Sequence, residues 1–360
     1  MKSFRLSLAA AASALTLLAS AGATGASAAD LEVVASIKPV HSLVAGVMEG
    51  VGEPQLILQG AGSPHTYSMR PSQARMLAGA DVVFWVGPNL EVFLAKPLET
   101  LAGEAKLVSL SESEGITLLD MREGGAFEAH SHGDEDGHGD HEEGHDHEEG
   151  EKDHAETDHA HDDHAHDDHA HDDDAHDDGA HEGHDHHDHG PDAHIWLDPE
   201  NAKSIVNAIA EALSEADAEN ASTYAANAAR LNERIEALET EIAAEIEPVR
   251  DRPFIVFHDA YQYFEKRFGL AAAGSITVSP EVIPGAQRVD EIRTKVSELD
   301  AACVFAEPQF EPRLVEVVTE GTDARSGVLD PLGAEIADGQ DLYFELMRGM
   351  AASFRGCLTK

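Results

Sequence analysis

Basic residues are scarce in this chain. Its 360 residues include 24 Lys and Arg against 69 Asp and Glu, a formal net charge of −45. No basic patch exists to meet phosphates, which excludes a nucleic-acid partner. An acidic surface instead attracts cations and repels anionic membranes. Cysteine is nearly absent, with only Cys303 and Cys357 present. Two thiols make a poor structural zinc site, which takes four ligands, and no lipobox cysteine offers a lipid anchor. No G-x-S-x-G, P-loop or dinucleotide fingerprint occurs.

The N-terminus reads as a processing signal. Lys2 and Arg5 precede the apolar run LSLAAAASALTLLAS, and small residues follow in GASAAD. That order predicts a secretory signal over 1–29, with cleavage near Ala28 or Ala29. The apolar core is Ala-rich and short for spanning a membrane. In an exported protein two cysteines are expected to pair, so Cys303 and Cys357 read as a structural disulfide. Closing a loop of that size stabilises by roughly 4 kcal/mol in the chain-entropy view.

After the signal, short apolar runs alternate with helical spacing. LEVVASI, PQLIL, DVVFWVG and AKLVSL read as strands, separated by helices over VHSLVAGVME, PSQARMLAGA and NLEVFLAKPLETLAG. Proline at the head of the second helix fits a first-turn position. Strand–helix alternation argues a parallel sheet covered by helices. Leu231, Ile235, Leu238, Ile242 and Ile246 recur at three and four residues. They predict a long helix from about Ala218 to Ile246, about 45 Å if thirty residues long. The alternation then resumes through PFIVFH, LAAAGSI, ACVFAEPQF and RSGVLDPLG. The fold class is therefore α/β, with two lobes of parallel-type sheet flanked by helices and joined by one long connecting helix. The expected boundaries are 30–200 for the N-terminal lobe, 201–250 for the helical region and 251–360 for the C-terminal lobe.

The segment 127–190 interrupts the first lobe. It holds 26 Asp and Glu against one Lys, a net of −25, which leaves −20 for the remainder. It also holds 19 of the 23 histidines. Such a run is too polar to bury a core and is expected to be disordered without metal, ranging over roughly 40 to 50 Å between its ends. Its imidazoles can bind Zn²⁺, Ni²⁺ or Cu²⁺ in many interchangeable, weakly selective arrangements. The match of HEEGH (His141 to His145) to a metalloprotease motif fails, because its flanks carry no apolar stripe for a packed helix.

Subtracting the run leaves four histidines: His41, His65, His194 and His258. His65 follows the second strand in GAGSPHTYSMRPSQ, and His258 ends the strand FIVFH. Open α/β sheets bind ligands at the carboxyl ends of strands. His194 opens HIWLDP directly after the acidic run. Three imidazoles drawn from both lobes, with a carboxylate or water in the fourth position, suit Zn²⁺. Asp330 in VLDPLG is the candidate fourth ligand, or else a residue that caps the following turn. His41 reads as structural or as an outer support of the ligands. No role is assigned to Ser36 or Glu307.

The motifs SIKPVHSLV, GAGSPHTYSMRPSQ, ADVVFWVGPNLE, DAHIWLDP, FIVFHDAYQYF, FAEPQF and LDPLG, in this order, closely resemble the zinc-uptake solute-binding proteins of bacterial ABC transporters (the ZnuA type). The resemblance covers essentially all of the chain beyond the signal. It implies a periplasmic, non-enzymatic protein with zinc as its transported ligand on His65, His194 and His258. Asp330 matches the aspartate that completes the site in related manganese binders. Some zinc members place a glutamate just before the first histidine; here that residue is Pro64, so Asp330 or water is left to complete the shell. The resemblance also implies a disulfide in the C-terminal lobe, an inner-membrane ABC permease and its ATPase as partners, a monomeric state, and a place for a periplasmic metal chaperone. The histidine-rich run would then collect or buffer zinc. The alternatives are a manganese or iron uptake protein of the same fold, a secreted zinc hydrolase, and a surface adhesin.

Overall fold

A computed structural model describes residues 31–122, 127, 190–277, 284–299, 301–310 and 313–359. The expected signal at 1–29 and nearly all of the acidic histidine-rich run lie outside the described residues. Within them, the first sheet comprises β1 (Val33–Ala35), β2 (Gln55–Leu56), β3 (Val82–Trp85) and β4 (Lys106–Ser109). The second comprises β5 (Phe254–His258), β6 (Gly274–Thr277), β7 (Cys303–Ala306) and β8 (Arg325–Val328). All pairings are parallel, in the orders β2-β1-β3-β4 and β6-β5-β7-β8. Both sheets thus have the same order, each with a switch point beside its first strand, where connections leave in opposite directions.

Helices α1 (Lys38–Val47), α2 (Pro71–Ala78) and α3 (Val92–Leu101) link the strands of the first sheet. Helices α6 (Gln262–Phe268), α7 (Ala286–Glu298) and α8 (Arg313–Thr319) link those of the second. Between the sheets lie α4 (Pro199–Ala216) and α5 (Ala221–Ile246), and α9 (Leu342–Leu358) follows β8. The long helix is 26 residues, about 39 Å, and starts three residues later than its periodicity predicts. Asp217 accounts for the interruption. Its carboxylate accepts from the Asn220 side-chain amide (2.7 Å) and the Tyr224 hydroxyl (2.9 Å), which turns the chain between α4 and α5.

The period of two along each strand divides the core. Val33 and Ala35 face one side of β1, whereas Val34 joins Ile57, Val83, Leu77 and Leu94 in a separate cluster on the other. Ile255 and Val304 likewise meet Ile292 and Val315 on the outer side of the second sheet. The inner faces of both sheets share one continuous cluster. It runs from Val33 and Phe84 through Ile205, Leu231, Ile235, Leu238 and Ile242 to Phe254, Phe305 and Phe354. The periodic apolar stripe of α5 is the seam of that cluster, and all five residues of its predicted stripe are buried. A disulfide between Cys303 and Cys357 ties β7 to α9.

The switch point of the first sheet is closed by a buried carboxyl. Glu91 accepts from the Ser36 hydroxyl, from Val86 N–H (3.2 Å) and from Gly87 N–H (2.9 Å), so it joins the ends of β1 and β3. Gly87 has φ +148, and a Cβ there would stand 2.6 Å from Ser111 Oγ. Burial raises the Glu91 carboxyl to about 7, against the opposing pull of those donors. The folded state therefore holds a proton that the unfolded chain has lost between its ordinary carboxyl value and about pH 7. Stability must fall as pH rises through that window. Glu91→Gln is expected to remove this decline, a difference on the order of 3 kcal/mol above pH 7. Urea unfolding of both proteins from pH 4.5 to 8 checks it; parallel curves would contradict it.

Candidate metal centre

His65, His194 and His258 converge. One ligand nitrogen from each lies within 4.8 Å of the others, and the ring centroids are 5.2 to 5.7 Å apart. They line a cleft between the lobes with a cavity volume of only about 10 Å³, walled by Trp196, Phe310 and Leu332. The Nε2 atoms of His194 and His258 stand 3.4 Å apart. Two nitrogens bound tetrahedrally to one zinc ion at 2.0–2.1 Å would be about 3.3–3.4 Å apart. The spacing of this pair is that of two ligands on one shared ion.

Each ligand is positioned by its own stretch of chain. Beyond β2 the backbone continues its ladder through Ile57 and Leu58. The loop carrying His65 is then pinned by Gln73, whose amide donates to Ile57 O (2.6 Å) and Tyr67 Oη (2.7 Å). His194 precedes a single 3₁₀ turn, Ile195–Leu197, that drives three apolar side chains into the core. Asp198 then caps α4 through Glu200 N–H (2.9 Å) and is gripped by Arg267 from the other lobe. His258 is the last residue of β5, an interior strand of its sheet.

Two of the imidazoles are backed by buried carboxylates. His194 Nδ1 lies 2.8 Å from Asp192 Oδ1, and His258 Nδ1 lies 2.6 Å from Glu307 Oε1. A ring N–H donated to a carboxylate fixes the tautomer and leaves Nε2 as a lone pair for metal. Asp192 is itself held, through Oδ2, by the Gln262 amide at 3.3 Å. Burial alone would lower the His258 pKa, but the Glu307 carboxylate outweighs it and holds the ring above its ordinary value. His65 is driven well below its ordinary value by burial and by its two imidazole neighbours, which favours the neutral ring.

The roots of the acidic run sit against this site. Asp120 and Pro191 form an antiparallel bridge, and Asp192 N–H donates to Leu119 O (2.8 Å). Beside them Arg122 forks onto both Asp259 and Glu265 of the second lobe.

The other predicted residues do not join the three-imidazole group. Asp330 is outside the three-histidine group. Its carboxylate accepts from the backbone amides of Leu332 (3.1 Å), Gly333 (3.0 Å) and Ala334 (2.6 Å) and from the Gln309 amide (2.9 Å). His41 is not brought to the ligands either. It bonds Pro54 O through Nε2 (3.0 Å) and lines a different cavity with Glu53 and Asp338. Asp192, Glu307 and Gln309 are the site residues that sequence reasoning missed. The signal available was slight: an acid two residues before His194, and an acid at the end of a buried strand in FAEPQF.

Two α/β lobes fused along a shared core, with three converging imidazoles in the cleft between them, fit a metal-binding protein of the solute-binding class. The family described as zinc-uptake complex component A, periplasmic (ZnuA) matches residues 33–357. The chain is 55% identical over 328 residues to the high-affinity zinc uptake system protein ZnuA of Brucella suis, covering 91% of this chain and 92% of that one. It is 42% identical over 349 residues to the ZnuA of Paracoccus denitrificans, covering 95% and 97%. This chain therefore belongs to the ZnuA family of zinc-uptake binding proteins. Among solved structures, a ZnuA crystal structure superposes with a TM-score of 0.65 at 22% identity, covering 91% of this chain and 100% of that one. The laminin-binding protein Lmb of Streptococcus agalactiae gives 0.66 at 20%, covering 92% and 100%. At such identities the structural matches speak to fold alone. Among the described residues no helix is long and apolar enough to cross a membrane.

If the carboxylate behind His194 orients it as a ligand, Asp192→Ala should weaken metal binding about 10- to 100-fold. His41→Ala should leave it unchanged. Competition against a chromophoric chelator measures both; equal losses would break the assignment.

Proposed function

We propose that this protein captures Zn²⁺ in the periplasm on His65, His194 and His258 and hands it to an inner-membrane ABC permease and its ATPase. The observation that carries the reading is the convergence of three imidazole nitrogens within 4.8 Å. Nitrogen donors favour zinc over manganese, which leans towards carboxylate oxygen. Membership in a zinc-uptake family supports the same cargo. The work is binding and release, with no bond made or broken in a substrate. One core cluster spans both lobes, so closure on metal is small and local, and the monomer is the working unit.

The segment 127–190 acts as a lower-affinity collector. Its 19 histidines offer many interchangeable donors, whereas the cleft gathers three imidazoles within 4.8 Å. Mild acid should empty the collector steeply, since free imidazoles protonate near pH 6.5.

Zinc titration of three proteins tests this division: the full chain, a 127–190 deletion and His65→Ala. The deletion should keep one tight site and lose the weak ones. His65→Ala should lose the tight site and keep the weak ones. Disappearance of the tight site on deletion would end the proposal.

A further inference from the structure

The chain turns sharply as it leaves β5. Ala260 N–H donates to His258 O (3.0 Å), which puts Asp259 at the apex of the turn directly after the imidazole. The Asp259 carboxylate is buried and is held from the other lobe. Arg122 Nε donates to its Oδ2 (2.9 Å) and Arg122 Nη2 to its Oδ1. The same guanidinium reaches Glu265 on α6 through Nη1 (2.8 Å) and Nη2 (3.0 Å). Glu265 is fixed in turn by Ala272 N–H (2.8 Å). Phe127 covers one face of the guanidinium, 4.4 Å from ring centre to Cζ. All three guanidinium nitrogens are thus engaged, in a planar fork that lysine cannot reproduce.

The support of His194 converges on the same short helix. Tyr263 Oη accepts from Leu119 N–H (3.1 Å) and donates to Asp192 O (2.7 Å), and the Gln262 amide donates to Asp120 O (3.0 Å). Asp192 is the carboxylate behind the His194 ring. Sheet pairing holds β5 within its own lobe. The stand of His258 against His65 and His194 is a separate matter, because those two belong to the first lobe. It has to be set by bonds that cross between the lobes, and Arg122 makes such bonds at the residue next to His258.

We propose that Arg122 is a positioning residue for metal binding, whose fork onto Asp259 and Glu265 sets where His258 stands relative to His65 and His194. This rests on the three-histidine reading above. Arg122 does not line the cleft, and its positive charge repels a metal ion. A geometric effect and a charge effect of this residue therefore have opposite signs. Loss of the fork weakens binding if geometry matters, and loss of the charge strengthens it.

Two measurements on the full-length protein test this: zinc affinity by competition against a chromophoric chelator, and the visible bands of cobalt(II) at one equivalent. Arg122→Lys keeps a cation for the two buried carboxylates but loses the fork. It should weaken zinc about tenfold, as expected for an outer support of a metal site, and shift the cobalt bands. Arg122→Gln should weaken zinc at least as much, whereas a charge effect alone would tighten it. That variant leaves two buried carboxylates without a counter-charge. Melting curves show whether it folds, and Arg122→Lys carries the test if it does not. Arg348→Lys, which alters an exposed pair with Glu241, should leave affinity and bands as they are. A lowered melting temperature in Arg122→Lys with unchanged affinity and bands would mean a merely structural arginine and overturn the proposal, as would tighter binding in Arg122→Gln. Failure of the three-histidine reading looks different: His258→Ala would then leave both affinity and bands unchanged.

Discussion

The continuous apolar cluster that passes through both sheets by way of α5 is the constraint on which everything else depends. Its residues belong to both lobes, from Val33 in β1 to Phe354 in α9. Moving the lobes apart as rigid bodies would expose that surface, at about 25 cal/mol per Å². The three converging imidazoles are therefore not brought together by a wide hinge. Their spacing is a property of the folded core, set before any ion arrives. Trp196 adds to it, with its indole N–H on Pro331 O at 2.8 Å and its carbonyl accepting from the Tyr343 hydroxyl at 3.0 Å. Lys38, buried on α1, reaches the other lobe at Ile336 O (2.6 Å). Preorganisation of this kind reduces the ordering cost of binding.

Charge at the site is arranged in layers. The innermost layer is imidazole, which remains neutral at working pH only if burial and mutual proximity keep protons away, as they do at His65. The next layer is carboxylate, and it raises His258 instead. One ring is thus made a weaker base than usual while another is made a stronger one. A basic, hydrogen-bonded imidazole is a better ligand, but protons compete for it more effectively.

Most of the fold was legible in the sequence, because strand and helix periodicities are local. The apolar stripe Leu231, Ile235, Leu238, Ile242 and Ile246 located α5, and only its start was displaced, by side-chain bonds of Asp217 that no periodicity encodes. The three converging histidines were legible by subtraction: once the repetitive run was set aside, few histidines remained and three stood at strand or loop ends. Their supports were not legible. Asp192 and Glu307 are two carboxylates among 69 acidic residues, and their importance lies in contacts across the chain, such as the 49 residues separating Glu307 from His258. The place of Asp330 was uncertain for the same reason. An aspartate that gathers amides of a turn and one that binds metal read alike in VLDPLG.

The two lobes use the same crevice for opposite ends. At the first switch point a glutamate is sealed by the hydroxyl of Ser36, and at the second by the imidazole of His258. Only the second sheet thus contributes a ligand from its own strand end, while His65 and His194 reach the cleft from the connections of the first lobe. The three imidazoles are therefore split two to one across the cleft, so an ion held on all of them would tie the end of β5 to the connections of the first lobe.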